Sequence, residues 1–283
     1  MKKILMILLA VAMLPMSVDA KKKAENRGYD LKVMSYNIRN GKAKDGTNSW
    51  EFRYPATALM IDAQKPDVFG IQEAYDYQVN FIEENCKNYA SVGVGREDGK
   101  SKNEHMSIFW NKKTVKMLKW GTFWLSETPE KPSKGWDSRH FRTATWALMK
   151  DKNTGKKFYF VNTHLDHRGR EAQKNGLKLI VDRIASINPN GYPMVLTGDF
   201  NVKPNDSVLV DLDKVMQSTR KVAAKTDNHQ TFNGWGKAKP DMVIDYIYIS
   251  GFSSCTEYQT VTEKYGEWKY ISDHYPISAT IVF

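Results

Sequence analysis

Apolar positions recur along this chain in short bursts separated by polar turns, and ten bursts have the length and composition of β-strands. They are LKVMSYNI (31–38), DVFGIQ (67–72), YASVGVG (89–95), SIFWN (107–111), VKMLKW (115–120), TATWALMK (143–150), KFYFVNTHL (157–165), PMVLTGDF (193–200), VIDYIYIS (243–250) and ISATIVF (277–283). Several alternate between apolar and polar residues; others are apolar throughout, as in a sheet covered on both faces. Helical spacing is rarer. Leu177, Ile180, Val181 and Ile184 repeat at helical intervals and predict a helix over 170–187. Pro55 suits the start of a second helix that ends before Pro66. Two packed sheets with helices outside fit this mixture. No repeat or long linker divides residues 31–283, which read as one domain.

The first twenty residues break the pattern. Two lysines, an apolar stretch from Ile4 to Met16 and Val18-x-Ala20 before a run of lysines have the form of a secretory signal peptide cut after Ala20. The apolar stretch is too short to span a bilayer. Residues 1–20 are therefore expected to be removed, 21–30 to form a linker, and the rest to be periplasmic or extracellular. Cleavage removes Lys2, Lys3 and Asp19, so the formal charge of +10 becomes +9. A basic surface suits an anionic substrate without saying which. The only cysteines, Cys86 and Cys255, either pair or lie apart as buried thiols, and their spacing offers no zinc site.

Chemistry concentrates where apolar bursts stop. LKVMSYN ends on Asn37, DVFGIQE on Glu73, FYFVNTHLD on Asn162, His164 and Asp166, and VLTGDFN on Asp199 and Asn201. Asp245 in VID, then Asp273 and His274 in ISDH, complete the set. Asp199 and Asn201, two apart, face one side if the strand continues through them. Taken alone, VLTGDFNVKPND is explained equally by a turn. Set side by side, the six endings make an acidic cleft with two imidazoles. Glu73, Asp199 and Asp273 are hard oxygen donors suited to Mg²⁺ or Mn²⁺. The histidines then suit proton transfer or phosphate contact, with Asp245 orienting His274.

MSYNIRN, GIQEA, NTHLDHRG, TGDFN, IDYIYI and SDHYPI, in this order, resemble the endonuclease/exonuclease/phosphatase superfamily, which includes pancreatic deoxyribonuclease. The resemblance covers residues 31–283. It implies an α/β fold, a four-layer α/β/β/α sandwich of two mixed sheets flanked by helices, and a Mg²⁺- or Mn²⁺-dependent phosphoric ester hydrolase. It further implies Glu73 as the main metal ligand with Asn37 and Asp273 beside it. Asp199 and Asn201 would orient water and hold phosphate. His274, braced by Asp245, would be a phosphate contact or general base, and His164 would contact phosphate or assist the leaving group.

Substrate-binding candidates are Arg142, at the start of TATWALM, Asp166 and Arg170 in LDHRGREAQ, and Trp136 in the aromatic and basic segment 123–146. Glu104 and His105 in NEHM read as surface residues. The substrate is expected to be a phosphorylated small molecule, a lipid head group or nucleic acid, and the protein a monomer with no obligate protein partner. A secreted nuclease is the alternative; a non-catalytic phosphate-binding protein is the other.

Overall fold

The computed structural model describes residues 30–283, so the expected signal peptide lies outside the described residues. Twelve strands are present: β1 (Asp30–Asn37), β2 (Val68–Gln72), β3 (Tyr89–Val92), β4 (Ile108–Asn111), β5 (Val115–Trp124), β6 (Thr143–Asp151), β7 (Lys157–His164), β8 (Met194–Asp199), β9 (Gln217–Ser218), β10 (Asp245–Ser250), β11 (Ser254–Thr260) and β12 (Ile277–Val282). They form two six-stranded sheets, ordered β11-β12-β1-β2-β4-β3 and β5-β6-β7-β8-β10-β9. Only β1 with β2 and β7 with β8 pair in parallel, so both sheets are mixed. Helices α1 (Trp50–Gln64) and α2 (Asp76–Asn85) cover the first sheet, and α3 (Arg170–Ile187) and the short α4 (Val210–Asp213) the second. The four-layer sandwich expected from sequence is the fold observed.

Side-chain alternation builds three apolar layers. Met34 and Tyr36 of β1 face outward and pack with Met60 and Ile61 of α1, while Leu31 and Val33 face inward with Phe158, Phe160 and Val195 of the other sheet. Leu196 and Tyr248 pack outward against Leu177 and Ile180 of α3. Toward the C-terminal ends of β1, β2, β7 and β8 the space between the sheets turns polar. Gln72 Nε2 donates to Asn162 Oδ1 at 2.7 Å, and Asn162 Nδ2 donates to the Ile71 carbonyl at 2.8 Å. Asn162 therefore fastens sheet to sheet and does not reach the cleft. A Cβ on Gly70 would lie 2.4 Å from that amide, which is why the strand carries glycine there.

All ten expected strands exist. α3 has the expected bounds, but α1 begins five residues before Pro55. The first turn is held by tertiary contacts instead: the buried Arg53 guanidinium donates to the carbonyls of Ile38 and Ile271 at 2.7 and 2.8 Å. The helix stops, as expected, ahead of Pro66, on a left-handed Lys65. β11 was not expected because a bulge between Cys255 and Glu257 breaks its alternation. Cys86 and Cys255 are separate buried thiols, and burial raises each to a pKa of about 11.

Candidate active site

The polar layer opens into a cleft of about 550 Å³ at one end of the sandwich, within the range of small-molecule sites. Strand direction decides what lines it. β1, β2, β7 and β8 deliver their C-terminal ends, carrying Asn37, Glu73, His164 and Asp199. β10 runs antiparallel to β8 and pairs Asp245 with Asp199, so Asp245 enters at the start of its strand and not at an end. Asp273 and His274 lie in the loop that leads into β12, which is antiparallel to β1.

Asp199 is the hub. Asn37 Nδ2 lies 3.0 Å from its Oδ2, His164 Nε2 3.4 Å and His274 Nε2 3.7 Å, while the backbone N–H of Asn201 donates to Oδ1 at 2.9 Å. The shared side of Asp199 and Asn201 does not come from strand alternation. The chain leaves the strand at Asp199, and Asn201 turns back through a left-handed conformation (φ 53°). The turn and the site are one structure. Asn201 Nδ2 then lies 3.0 Å from His164 Nε2. Burial, reinforced by the neighbouring Asp245 charge, raises the Asp199 carboxyl to a pKa of about 7.

The two histidines are set apart electrostatically. Burial opposes charge on His274, but Asp245, whose Oδ2 is 2.9 Å from Nδ1, together with Asp199 and Asp273 overcomes it and brings the imidazole to about 10. His274 is an imidazolium at neutral pH. Burial and the nearby Arg142 and Arg96 push His164 well below the ordinary histidine value, so it is neutral. Phe232 meets the His274 ring edge to face, with centroids 5.0 Å apart.

Glu73 sits just beyond β2 in a left-handed conformation (φ 65°), an arrangement that costs a non-glycine residue about 1–2 kcal/mol. Its carboxylate accepts from Asn37 Nδ2 at 3.1 Å and from the Asn40 backbone at 2.9 Å. Burial raises its pKa, yet His274, these donors and Arg39 more than offset that and hold it below the usual range. Ligand atoms of Glu73, Asp199 and His164 lie within 4.8 Å of one another, close enough to share a cation, and their carboxylate oxygens fit a hard one. Asp273 also lines the cleft, with Arg39 Nη1 3.3 Å from it. Asn37 turns its nitrogen to the carboxylates, and its oxygen accepts from the Arg39 backbone at 3.0 Å; as a cation ligand the amide would have to turn over.

Of the substrate-binding candidates, Arg142 alone is well placed. It is buried, lines the cleft, and its Nη1 has no partner among the described residues. Asp166 is a brace behind it: one carboxylate oxygen lies 3.3 Å from Arg142 Nε, and the other accepts from the Arg168 and Gly169 backbone at 3.0 and 2.9 Å. Arg170 is exposed and pairs with Asp206 away from the cleft. Trp136 is half-buried in a left-handed turn tied to Glu127 and is not among the lining residues. Glu104 and His105, expected at the surface, are both buried, because the segment 95–105 folds back onto Ala74 through a β-bridge. Arg39, Asn40, Arg96, Glu104, His140 and His167 also line the cleft. They lie on loops, where no periodicity marks them.

Related proteins share this design. The structure of a mannosyl-6-phosphatase from Bacteroides thetaiotaomicron is 33% identical with a TM-score of 0.86, over 89% of this chain and 100% of that one. An endonuclease/exonuclease/phosphatase family protein from the same organism is 34% identical with a TM-score of 0.85, over 90% and 98%. A protein of Acanthamoeba polyphaga mimivirus is 26% identical over 270 residues, 87% of this chain and 98% of its own length. The pattern of the endonuclease/exonuclease/phosphatase family matches residues 34–274, across the strand ends that carry Asn37, Glu73 and Asp199 and into the loop that carries His274, and the chain belongs to that family.

Proposed function

We propose that the protein is an exported, divalent-metal-dependent phosphoric ester hydrolase acting on a small phosphorylated molecule, most simply a sugar phosphate monoester. The observation that carries this reading is the cleft itself: carboxylates of Glu73, Asp199 and Asp273 share a volume of about 550 Å³ with Arg39, Arg96 and Arg142. Such a space holds one phosphate and a compact leaving group. The 33% identity to a mannosyl-6-phosphatase supports a sugar phosphate, and the make-up of residues 1–20 supports export.

Glu73, with oxygens of Asp199 and Asp273 facing the same space, would hold a Mg²⁺ or Mn²⁺ ion, which supplies charge neutralisation to the phosphate when bound. The remaining steps belong to the chain. Asp199, its carboxylate oriented by the Asn201 backbone N–H, would take a proton from the attacking water as the new P–O bond forms. The Asn201 backbone N–H fixes that carboxylate, and neutral His164, whose Nε2 accepts from Asn201 Nδ2, would stand beside the water. His274, held as an imidazolium by Asp245, directs Nε2–H toward the phosphoryl oxygens, and the unpartnered Nη1 of Arg142 adds a second donor. The ester oxygen departs on the side away from the water, as in-line displacement requires, and takes its proton from solvent while Asp199 returns its own there.

One observation favours a nuclease instead: Lys134, Arg139 and Arg168 border a basic hollow that meets the cleft at His140 and suits a further backbone phosphate. A single screen separates the readings. Purified protein is assayed with Mg²⁺, with Mn²⁺ and with EDTA on hexose 6-phosphates, p-nitrophenyl phosphate, bis-p-nitrophenyl phosphate and DNA, with Glu73→Ala as control. Metal-dependent monoester hydrolysis that Glu73→Ala abolishes is expected. Turnover confined to DNA overturns the substrate class; no metal-dependent turnover of any substrate leaves the binding-protein alternative.

A further inference from the structure

Glu104 is an oddity in a phosphate-binding cleft. A carboxylate repels a phosphate dianion, yet this one lines the same cleft as Arg39, Arg96 and Arg142. It is 6% exposed, and its Oε2 lies 2.6 Å from Nη1 of Arg96, itself 5% exposed. Buried ion pairs of this kind add little net stability, because desolvation cancels most of the attraction. Folding alone does not account for it.

Its position is fixed relative to the reaction centre. Asn40 joins the two carboxylates: its backbone N–H donates to Glu73 Oε2 at 2.9 Å and its Nδ2 to Glu104 Oε1 at 3.2 Å. The segment carrying Glu104 is pinned beside Glu73, with the His105 N–H donating to the Ala74 carbonyl at 2.7 Å. Arg96 is held in turn, its N–H on the Glu104 carbonyl at 3.0 Å and its own carbonyl accepting from Trp124 Nε1 at 2.6 Å. Acceptor, donor and amide thus stand together on a rigid support, one residue's width from the expected cation ligand.

We propose that Glu104, Arg96 and Asn40 form a hydroxyl-recognising subsite that takes the neutral, polyol part of the substrate, a pair of neighbouring hydroxyls on a phosphorylated sugar. A carboxylate accepts from two hydroxyls, a guanidinium donates to their lone pairs, and an amide does either. Phe232, Met242 and Ile244 line the same cleft and offer apolar surface to the C–H face of a sugar ring. The inference rests on the phosphomonoesterase reading and names the part of the molecule that reading leaves open. Neighbouring hydroxyls occur on hexose phosphates and on ribonucleotides alike, and the test carries both.

Glu104→Gln is compared with wild type on glucose and mannose 6-phosphate, on a 5′-ribonucleotide and its 2′-deoxy counterpart, and on hydroxyl-free p-nitrophenyl phosphate. Loss of a charge-assisted hydrogen bond should lower kcat/KM on the hydroxyl-bearing ester at least about tenfold more than on p-nitrophenyl phosphate, mainly through KM. A penalty on the ribonucleotide, absent from its 2′-deoxy form, assigns the hydroxyls to ribose; a penalty on the hexose phosphates assigns them to a hexose. Equal losses on every ester overturn the proposal and make Glu104 a support for Glu73, and unchanged kinetics overturn it as well. Wild-type protein inactive on every monoester would end the functional reading, not this one. Calorimetry of the metal-free protein then decides, since Glu104→Gln should weaken glucose 6-phosphate binding and spare inorganic phosphate, and equal effects on both overturn the subsite.

Discussion

The cleft has two sides built in different ways. The acidic side is a set of strand ends: Asn37, Asp199 and Asp245 stand on β1, β8 and β10, and none is more than 2% exposed. The cationic side is made by loops, with Arg39 just past β1 and Arg96 in the segment after β3, and with His140 and His167, both shifted toward the neutral form by burial and nearby arginines, exposed on the rim. Strand ends are held by ladders and by the core beneath them, so their geometry is set once the sheets pack. Loops are held side chain by side chain, as Asp166 holds Arg142 and Glu104 holds Arg96. On the proposed function, Asp199 and Asp245 bring reaction chemistry from strand ends and the arginines bring substrate contacts from loops, a division common where catalytic groups sit on a rigid scaffold.

That division is broken most severely from the acidic side. Asp199→Ala should lower kcat by about 10³-fold with the fold intact, measured as turnover beside circular dichroism. Near-normal turnover would remove Asp199 as the base. Asp245→Asn should cost about 10²-fold in kcat and should carry a pH signature. His274 has a folded pKa near 10, above the ordinary value of about 6.5. The stabilisation it shares with Asp245 is complete below pH 6.5 and fades as pH rises toward 10. The difference in urea midpoint between wild type and Asp245→Asn, without metal, should thus be larger at pH 6 than at pH 9.5. A constant difference would show that the pair is not charged.

The cationic side should respond less, and through binding. Arg142→Ala should lower kcat/KM about 10²-fold, and Asp166→Asn by a smaller factor, because Asp166 acts only by aiming the guanidinium. If Asp166→Asn equals Arg142→Ala, the carboxylate has a role of its own. The smallest effect belongs to Arg170→Ala and Trp136→Ala, which lie outside the cleft and should leave kcat/KM within about twofold. Larger losses would move the substrate path toward α3.

The same contrast explains what could be read from sequence. Strands declare themselves by alternation and end where polarity begins, so Asn37, Glu73, His164 and Asp199 were visible as endings. Asp245 was visible too, but its strand direction was not, since pairing partners leave no mark in a linear pattern. Alternation and a turn both accounted for Asn201 beside Asp199, and the turn, left-handed at Asn201, is what returns it to the site. Glu104 looked like surface because a polar residue in a polar stretch carries no burial signal; only the bridge between Ala74 and His105 buries its neighbourhood. Arg39 and Arg96 follow no period at all. Trp136 and Arg170 had suitable chemistry in suitable segments, and the loop paths took them elsewhere.

The left-handed backbone at Glu73 has a consequence for how this molecule can change. Glycine or asparagine adopts that conformation with less strain than glutamate does, but glycine would leave the Asn37 and Asn40 donors without their carboxylate, so relief of about 1–2 kcal/mol of strain is set against two lost hydrogen bonds. A laboratory selection for heat resistance with no activity readout would therefore keep Glu73 unless the Asn37 and Asn40 donors found other acceptors. Strain and hydrogen bonding thus hold this position in balance, legible in one backbone angle and two distances.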